Sequence, residues 1–346
     1  MVNKYLCYFL FLDILLNFIS LEEDMSFLPL IKAGPGILST IFTYERERTI
    51  TPFSLSFDIT SKCNLRCQHC YIYKQENEKW EMNKLSEDTH NHKFSLIEKI
   101  KADNPKIIHS TLVGGEPLMP NVAEPLTRLV TRLFPLNWVV TNGTFPIPED
   151  YDCKDSLTTF VVSLDGKKEY HDNLRGNGVF IKAMKNIENT NARVYSHSVI
   201  TSENRDGMEE LVQQLHDQTK LRGVRFSFYT PENCVEDKLW TPLDERDKIV
   251  DRLHLLKNKY GGFIWMSNDE IDAFYGKNLL SAFGENCALL RGATYSMDFY
   301  GNKKEKCVMG SKTDCYRCGC TVPTMMYSIL ERRSLSTLLS LLKTFI

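Results

Sequence analysis

Cys63, Cys67 and Cys70 stand at spacing C-x3-C-x2-C within FDITSKCNLRCQHCYIY, residues 57–73. Three thiols on one loop can hold three irons of a 4Fe–4S cube and leave the fourth iron open to a small molecule. A structural zinc site more often pairs two C-x2-C knuckles, or one knuckle with two histidines. The three-residue gap fits that pattern poorly, and His69 and His90 are the residues that could complete it. A second thiol group, Cys287, Cys307, Cys315, Cys318 and Cys320, lies among Gly292, Gly301, Gly310 and Gly319. A short region that cannot bury much apolar area is commonly held by metal. Four of these five thiols suffice for one 4Fe–4S cluster or one zinc ion. Cys318 and Cys320 are one residue apart, which makes their joint ligation hard and leaves one spare. Cys7 reads as an inert apolar side chain, and Cys153 and Cys234, with no thiol neighbours in sequence, as core or loop residues.

Two further patterns carry chemistry. Gly114-Gly115-Glu116-Pro117 pairs glycines, which admit a close backbone approach, with a carboxylate able to accept hydrogen bonds from an ammonium group. Thr141-Asn142-Gly143 and Ser163-Leu164-Asp165-Gly166 place polar residues at the ends of successive apolar runs. In a parallel α/β fold such ends converge on one pocket.

The elements that must position these residues alternate along the chain. Apolar, β-rich runs cover Leu55–Thr60, Ile107–Val113, Trp138–Thr141, Thr159–Leu164, Val194–Thr201 and Val224–Tyr229. Helical spacing covers Ser86–Lys101, Val122–Leu133, Val179–Asn189 and Met208–Thr219; a further helix starts at Pro242 and Asp244 and stops at Gly261-Gly262. Ile31–Glu45 reads as a helical lead-in broken by Gly34, Pro35 and Gly36, and Thr324–Ile346 as one apolar-faced helix. Six strands with helical crossovers imply a parallel sheet, open or closed into a barrel. Either way the site belongs at the carboxyl ends of the strands, where the cysteine loop falls. The expected organisation is an apolar segment at 1–24, a core at 50–265, a cysteine-rich region at 266–323 and a terminal helix at 324–346.

The 346 residues are 42% apolar and 25% charged, ordinary values for a folded protein. A formal net charge of −2 gives no electrostatic case for nucleic acid as a partner. Exposed thiol clusters favour a reducing compartment, so a cytoplasmic location is expected. The run from Tyr5 to Leu21 is near the minimum for a membrane span. Asp13 near its middle would cost roughly 2.5–3.5 kcal/mol on insertion. Met25 follows directly, so the segment reads as upstream of the natural start, as a membrane anchor, or as an apolar helix packed on the domain.

The three-cysteine loop, with Asn64 and Arg66 inside it and His69 before the last thiol, resembles the radical S-adenosylmethionine (SAM) superfamily. The GGEP motif, one βα unit later, strengthens the resemblance. The string SLDGKKEYHDNLRG, and the order Cys287, Gly301, Cys307, resemble the branch with SPASM or twitch auxiliary-cluster regions. The match is imperfect: five residues separate Gly301 from Cys307, and the full SPASM ending is absent.

The resemblance implies a partial (β/α)6 TIM-like barrel with a small cysteine-rich C-terminal extension. It implies a 4Fe–4S cluster on Cys63, Cys67 and Cys70 that reductively cleaves SAM to a 5′-deoxyadenosyl radical. It implies that His69 lies near the adenine and that Gly114, Gly115 and Glu116 hold the SAM amino group. Asn142, Ser163 and Asp165 then line the cofactor pocket, and Arg175 approaches the SAM carboxylate. It also implies a second, auxiliary 4Fe–4S cluster, an electron donor such as ferredoxin or flavodoxin, and a peptide or small-molecule substrate. A lipid substrate of the adenosylhopane type, with membrane contact through residues 5–21, is the alternative within the family. A non-catalytic iron–sulfur or zinc protein for electron transfer or binding is the alternative outside it.

Overall fold

The structure is a computed structural model and describes residues 28–72, 87–232 and 236–346. The apolar segment at 5–21, Cys7 and Cys234 lie outside them. Seven parallel strands curl into a half-barrel in the order β6-β5-β4-β3-β2-β1-β7. They are β1 (Ser54–Asp58), β2 (His109–Val113), β3 (Leu136–Thr141), β4 (Leu157–Ser163), β5 (Val194–Ile200), β6 (Val224–Phe228) and β7 (Thr294–Met297). All six expected strands form, and the fold is a partial TIM-like α/β barrel.

The seventh strand was not expected. TYSM is short, and its only strand partner is β1, 240 residues earlier, with Ser54 opposite Thr294. β7 lies between Cys287 and Cys307, so the cysteine-rich region contributes a strand to the main sheet.

Helices α1 (Leu28–Glu47), α2 (Glu87–Asp103), α3 (Glu124–Thr131), α4 (Lys168–Arg175), α5 (Val179–Glu188), α6 (Met208–Gln218) and α7 (Leu243–Tyr260) follow the expected order, with α4 added. Short helices α8 (Asn268–Asp272) and α9 (Leu279–Ala282) precede β7, and α10 (Thr321–Leu330) and α11 (Leu335–Leu342) close the chain. The lead-in helix is not broken at Gly34-Pro35-Gly36: α1 runs through Pro35. Gly36 there serves packing, because a Cβ on it would sit 2.6 Å from Ile108. The tail is two helices rather than one, turning where Arg333 takes a positive φ of 56°.

Strand alternation divides the apolar residues between two layers. Phe57, Leu112, Val139, Phe160, Val162, Val194 and Phe226 pack outward beneath the crossover helices. Leu136, Trp138, Leu157, Val161 and Tyr195 point into the half-barrel, where α1, α10 and α11 meet them. The last residues seal this interior: Trp138 Nε1 donates to Thr344 Oγ1 at 3.2 Å and stacks near-parallel on Phe345 at 6.1 Å. The amino-terminal end of the barrel is thus filled with side chains, and the carboxyl ends of the strands are left for chemistry. No helix among the described residues is long and apolar enough to cross a membrane.

Candidate active site

Strand β1 delivers the cysteine loop, and β2 holds it from beside. Backbone N–H groups of Gly115 and Glu116 donate to the carbonyls of Thr60 and Lys62 at 2.6 and 2.9 Å. The approach is so close that a Cβ on Gly115 would lie 1.9 Å from the Lys62 oxygen. Gly114 has φ +109°, which only glycine adopts cheaply. The glycines expected to admit a ligand are therefore first required by the cysteine loop itself.

Glu116 is fully buried. One oxygen accepts from the Thr141 hydroxyl at 2.6 Å and the Leu118 N–H at 2.9 Å. The other accepts from the Asn142 N–H at 2.8 Å. Burial raises its pKa, and these donors pull it back. Its carboxylate bolts the end of β2 to the end of β3. Asn142 extends the bracing into the loop, its amide donating to Asn64 Oδ1 at 3.0 Å and to Cys63 Sγ at 3.7 Å.

At the end of β4, Asp165 is buried and accepts from the Val199 N–H at 2.8 Å. His69 Nε2 lies 3.1 Å from its carboxylate, and Arg175 Nε donates to the same oxygen. Burial alone would raise this carboxyl, but Arg175 and His69 hold it well below the usual carboxylate range. The remaining Arg175 nitrogens reach Cys67 Sγ at 3.9 Å and His69 Nε2 at 3.3 Å. Arg175 is thus committed to the loop, and an approach to a SAM carboxylate would require it to release one of these partners. His171 accepts from the Asp165 N–H at 3.2 Å. Ser163 ends β4 on the inner wall, opposite His197 of β5.

Two sulfurs of this loop meet donors. Cys63 receives the Leu65 N–H at 3.4 Å besides Asn142, and Cys67 receives Arg175. Such donors stabilise thiolates, the form that binds iron. His69 Nδ1 is buried with no protein partner, a polar atom aimed where a ligand could meet it. Both observations fit a cluster with a polar co-substrate beside it. His90, by contrast, is engaged with the Val122 carbonyl at 2.8 Å.

All five C-terminal cysteines line one pocket. Phe283, Leu289, Leu290, Met309 and Pro323 make most of the rest of it apolar. Backbone N–H groups again point at sulfur: those of Leu289 and Leu290 at Cys287, of Met309 at Cys307, and of Cys320 at Cys318. Cys320 caps α10, where the helix dipole also favours a thiolate. Without a metal, burial pushes the Cys287 thiol up to about 11 and the Cys318 thiol to about 12. The donor set fits an iron–sulfur group bound as thiolates. Among the described residues no three His, Cys, Asp or Glu side chains are gathered around a single-ion position.

Three polar groups escaped the sequence reading. Asp58, at the end of β1, is buried against Lys304 Nζ at 2.5 Å and Tyr71 Oη at 3.3 Å. His197 Nε2 meets Ser227 Oγ at 2.9 Å across β5 and β6. Arg225 and Glu270 form a buried ion pair below them. Asp58 stands in the FDIT run just ahead of the cysteines, the one local signal that was available. Lys304 is 246 positions away from it, and nothing in its neighbourhood points there.

Residues 57–215 match the model of the Radical SAM superfamily. The chain thus carries a radical SAM domain over those residues. Its sequence is 27% identical over 209 residues to the sporulation killing factor maturation protein SkfB of Bacillus subtilis (strain 168), 56% of this chain and 47% of that protein. It is 29% identical over 192 residues to the cysteine-type anaerobic sulfatase-maturating enzyme of Clostridium novyi (strain NT), 50% of this chain and 49% of that one. The chain spans about half the length of the curated relatives it matches. Its fold resembles Streptococcus suis SuiB bound to S-adenosylmethionine, with TM-score 0.55, 13% identity and 77% of this chain matched to 63% of that one. SuiB has also been solved with its precursor peptide SuiA, at TM-score 0.53, 13% identity and 82% of this chain matched to 67% of that one. A radical SAM domain implies a 4Fe–4S cluster and SAM.

Proposed function

We propose that this chain cleaves SAM reductively at a 4Fe–4S cluster held by Cys63, Cys67 and Cys70, and that it modifies a peptide or protein. The observation that carries the reading is the convergence on one loop of three thiols, N–H donors to two of their sulfurs, and braced carboxylates from β2 and β4. When bound, the cluster would supply the one electron that cleaves SAM into methionine and a 5′-deoxyadenosyl radical, and that radical would take a hydrogen atom from the substrate.

The chain's own residues hold and orient. Gly115 and Glu116 fix the loop's height above the sheet, and the β2 end they form is where the SAM amino group is expected. His69, with Nδ1 unpaired, would face the adenine. Ser163 and Asn142 offer polar contacts from the inner wall, and Asp165 sets His69 and Arg175 in place. The filled interior below excludes water from the strand ends. A peptide substrate is supported by the maturation enzymes this chain resembles and by the SuiB complex with its precursor peptide. The five-thiol pocket is read as an auxiliary 4Fe–4S site, and ferredoxin or flavodoxin as the electron source.

The test is anaerobic reconstitution with iron and sulfide, followed by dithionite and SAM. Formation of 5′-deoxyadenosine is expected. Its absence from protein with a fully loaded three-cysteine cluster would overturn the reading. Iron and zinc analysis of a Cys63/Cys67/Cys70→Ala chain then shows which metal the second pocket holds.

A further inference from the structure

Arg246, on α7, is the largest of the fully buried side chains. A guanidinium is always charged in a protein, and a buried charge is costly unless an opposite charge or a full set of hydrogen bonds compensates it. Neither condition is met by the protein alone. Among the described residues no carboxylate lies within ion-pair distance of Arg246, whereas Arg225, the other arginine buried to this degree, has Glu270. Nη1 donates to the Cys318 carbonyl at 2.9 Å and Nη2 to the Arg317 carbonyl at 3.3 Å. Nε has no partner, and the group lies 4.8 Å from the centre of the Phe228 ring. Every polar contact of this cation is thus to the backbone that presents Cys318 to the pocket.

We propose that Arg246 is the fixed counter-cation of the five-thiol pocket, set there to balance the negative charge of the iron–sulfur group that its thiolates hold. This rests on the reading of that pocket as an iron–sulfur site. A cube with four thiolate ligands carries net negative charge, and one-electron reduction adds another. A permanent cation beside it stabilises both states, the reduced one more, and so raises the reduction potential. Arg246 is a positioning and tuning residue: it also anchors the Arg317–Gly319 turn, which the Gly319 carbonyl ties to the Phe228 N–H at 2.9 Å. A bracing role alone would need the hydrogen bonds but not the charge.

The test uses the full chain, reconstituted anaerobically with iron and sulfide and titrated with dithionite as the one-electron donor. Electron paramagnetic resonance signals that added SAM leaves unperturbed report the second site. For Arg246→Met we expect the reduction equilibrium of that site to weaken at least tenfold, about 59 mV for one electron. The SAM-sensitive signal should not move, and Arg246→Lys should recover most of the loss. Arg246→Gln, which keeps N–H donors without the charge, separates the two roles: a potential as low as in Arg246→Met supports the proposal, and one as high as in the unsubstituted chain overturns it. An unchanged potential in a loaded Arg246→Met protein overturns the proposal. So does failure of the methionine and lysine variants to load, which would make the guanidinium only a brace. If the unsubstituted chain takes up iron and sulfide at the first site alone, the iron–sulfur reading of the pocket falls, and this inference with it.

Discussion

Cys63, Cys67 and Cys70 lie on a loop whose surroundings are polar, while the five C-terminal thiols face a pocket that is mostly apolar apart from them and Thr313. Around the first set, Glu116 and Asn142 form one bracing network and Asp165, His69 and Arg175 another, each ending on the cysteine loop. Around the second, Phe283, Leu289, Leu290 and Met309 exclude water and one unpaired arginine stands behind the turn. Yet both sets are seated by the same device, a glycine pressed onto a neighbouring backbone. Gly115 sits on Lys62, and a Cβ on Gly319 would lie 2.3 Å from the Phe228 oxygen. A loop that must exchange SAM benefits from fixed dipoles and some access. A pocket that keeps a cluster benefits from closure, which also makes each uncompensated charge more consequential.

The largest effect should come from separating the two sets. Cys67→Ala should abolish 5′-deoxyadenosine formation and remove the first cluster's iron while leaving that of the second pocket. Cys318→Ala should do the reverse to the metal content. Loss of both metals in either variant, measured by iron and sulfide analysis, would show that the thiols are not partitioned this way.

Next is the ion network of the first site. Removing one partner of a buried pair costs about 3–5 kcal/mol, because the other charge is left uncompensated. Asp165→Asn should lose stability of that order in urea unfolding and load less iron at the first site only. The pH dependence has a definite sign. The Asp165 carboxyl is held well below its usual range, so its stabilisation is fully present above the unfolded value of about 3.9. It is lost only as pH falls through the still lower folded value. The gap between wild type and Asp165→Asn should therefore be flat from pH 8 to pH 5 and close in stronger acid. A gap that closed near neutrality would mean another group carries the effect.

Much of this comparison was open to reading in the sequence because it rests on local pattern. C-x3-C-x2-C, GGEP and the six apolar runs are contiguous, and parallel α/β topology brings their ends together. What stayed hidden depends on distant partners. β7 carries only four residues and is a strand because β1 offers it an edge. Arg175 could be placed near the site but not assigned to Cys67 rather than to a ligand, since only the fold shows what its other nitrogens touch. Gly36 reads as a helix breaker until Ile108 is seen against it. Arg246 looks like an ordinary helix-surface residue until α7 is packed against the Cys318 turn.

A smaller effect is expected where the network bolts two strands together. Glu116→Gln keeps the shape but replaces one acceptor oxygen with an amide that faces an N–H or hydroxyl donor. Leaving such a buried donor unsatisfied costs about 1–3 kcal/mol. Thermal unfolding should register that loss, and cluster content at the second pocket should stay the same. If the loss were absent, Glu116 would be carrying its proton in the folded state, as its burial favours.

The smallest expected effect tests the wall between the two regions. Tyr71 follows the third cysteine of the first set, and burial first, then Asp58, Cys70 and Cys320, push its hydroxyl well above the usual range. Its hydrogen bond to Asp58 is long, at 3.3 Å, and Asp58 keeps Lys304 when it is removed. Tyr71→Phe should therefore cost only about 0.5–1.5 kcal/mol, the usual net worth of one hydrogen bond. Metal content at both sites should be unchanged. A large fall in 5′-deoxyadenosine formation with both clusters intact would instead show that the hydroxyl, and not merely the ring, matters to the first site. The two thiol regions would then be chemically coupled through this wall, and their polar–apolar contrast would describe one extended site.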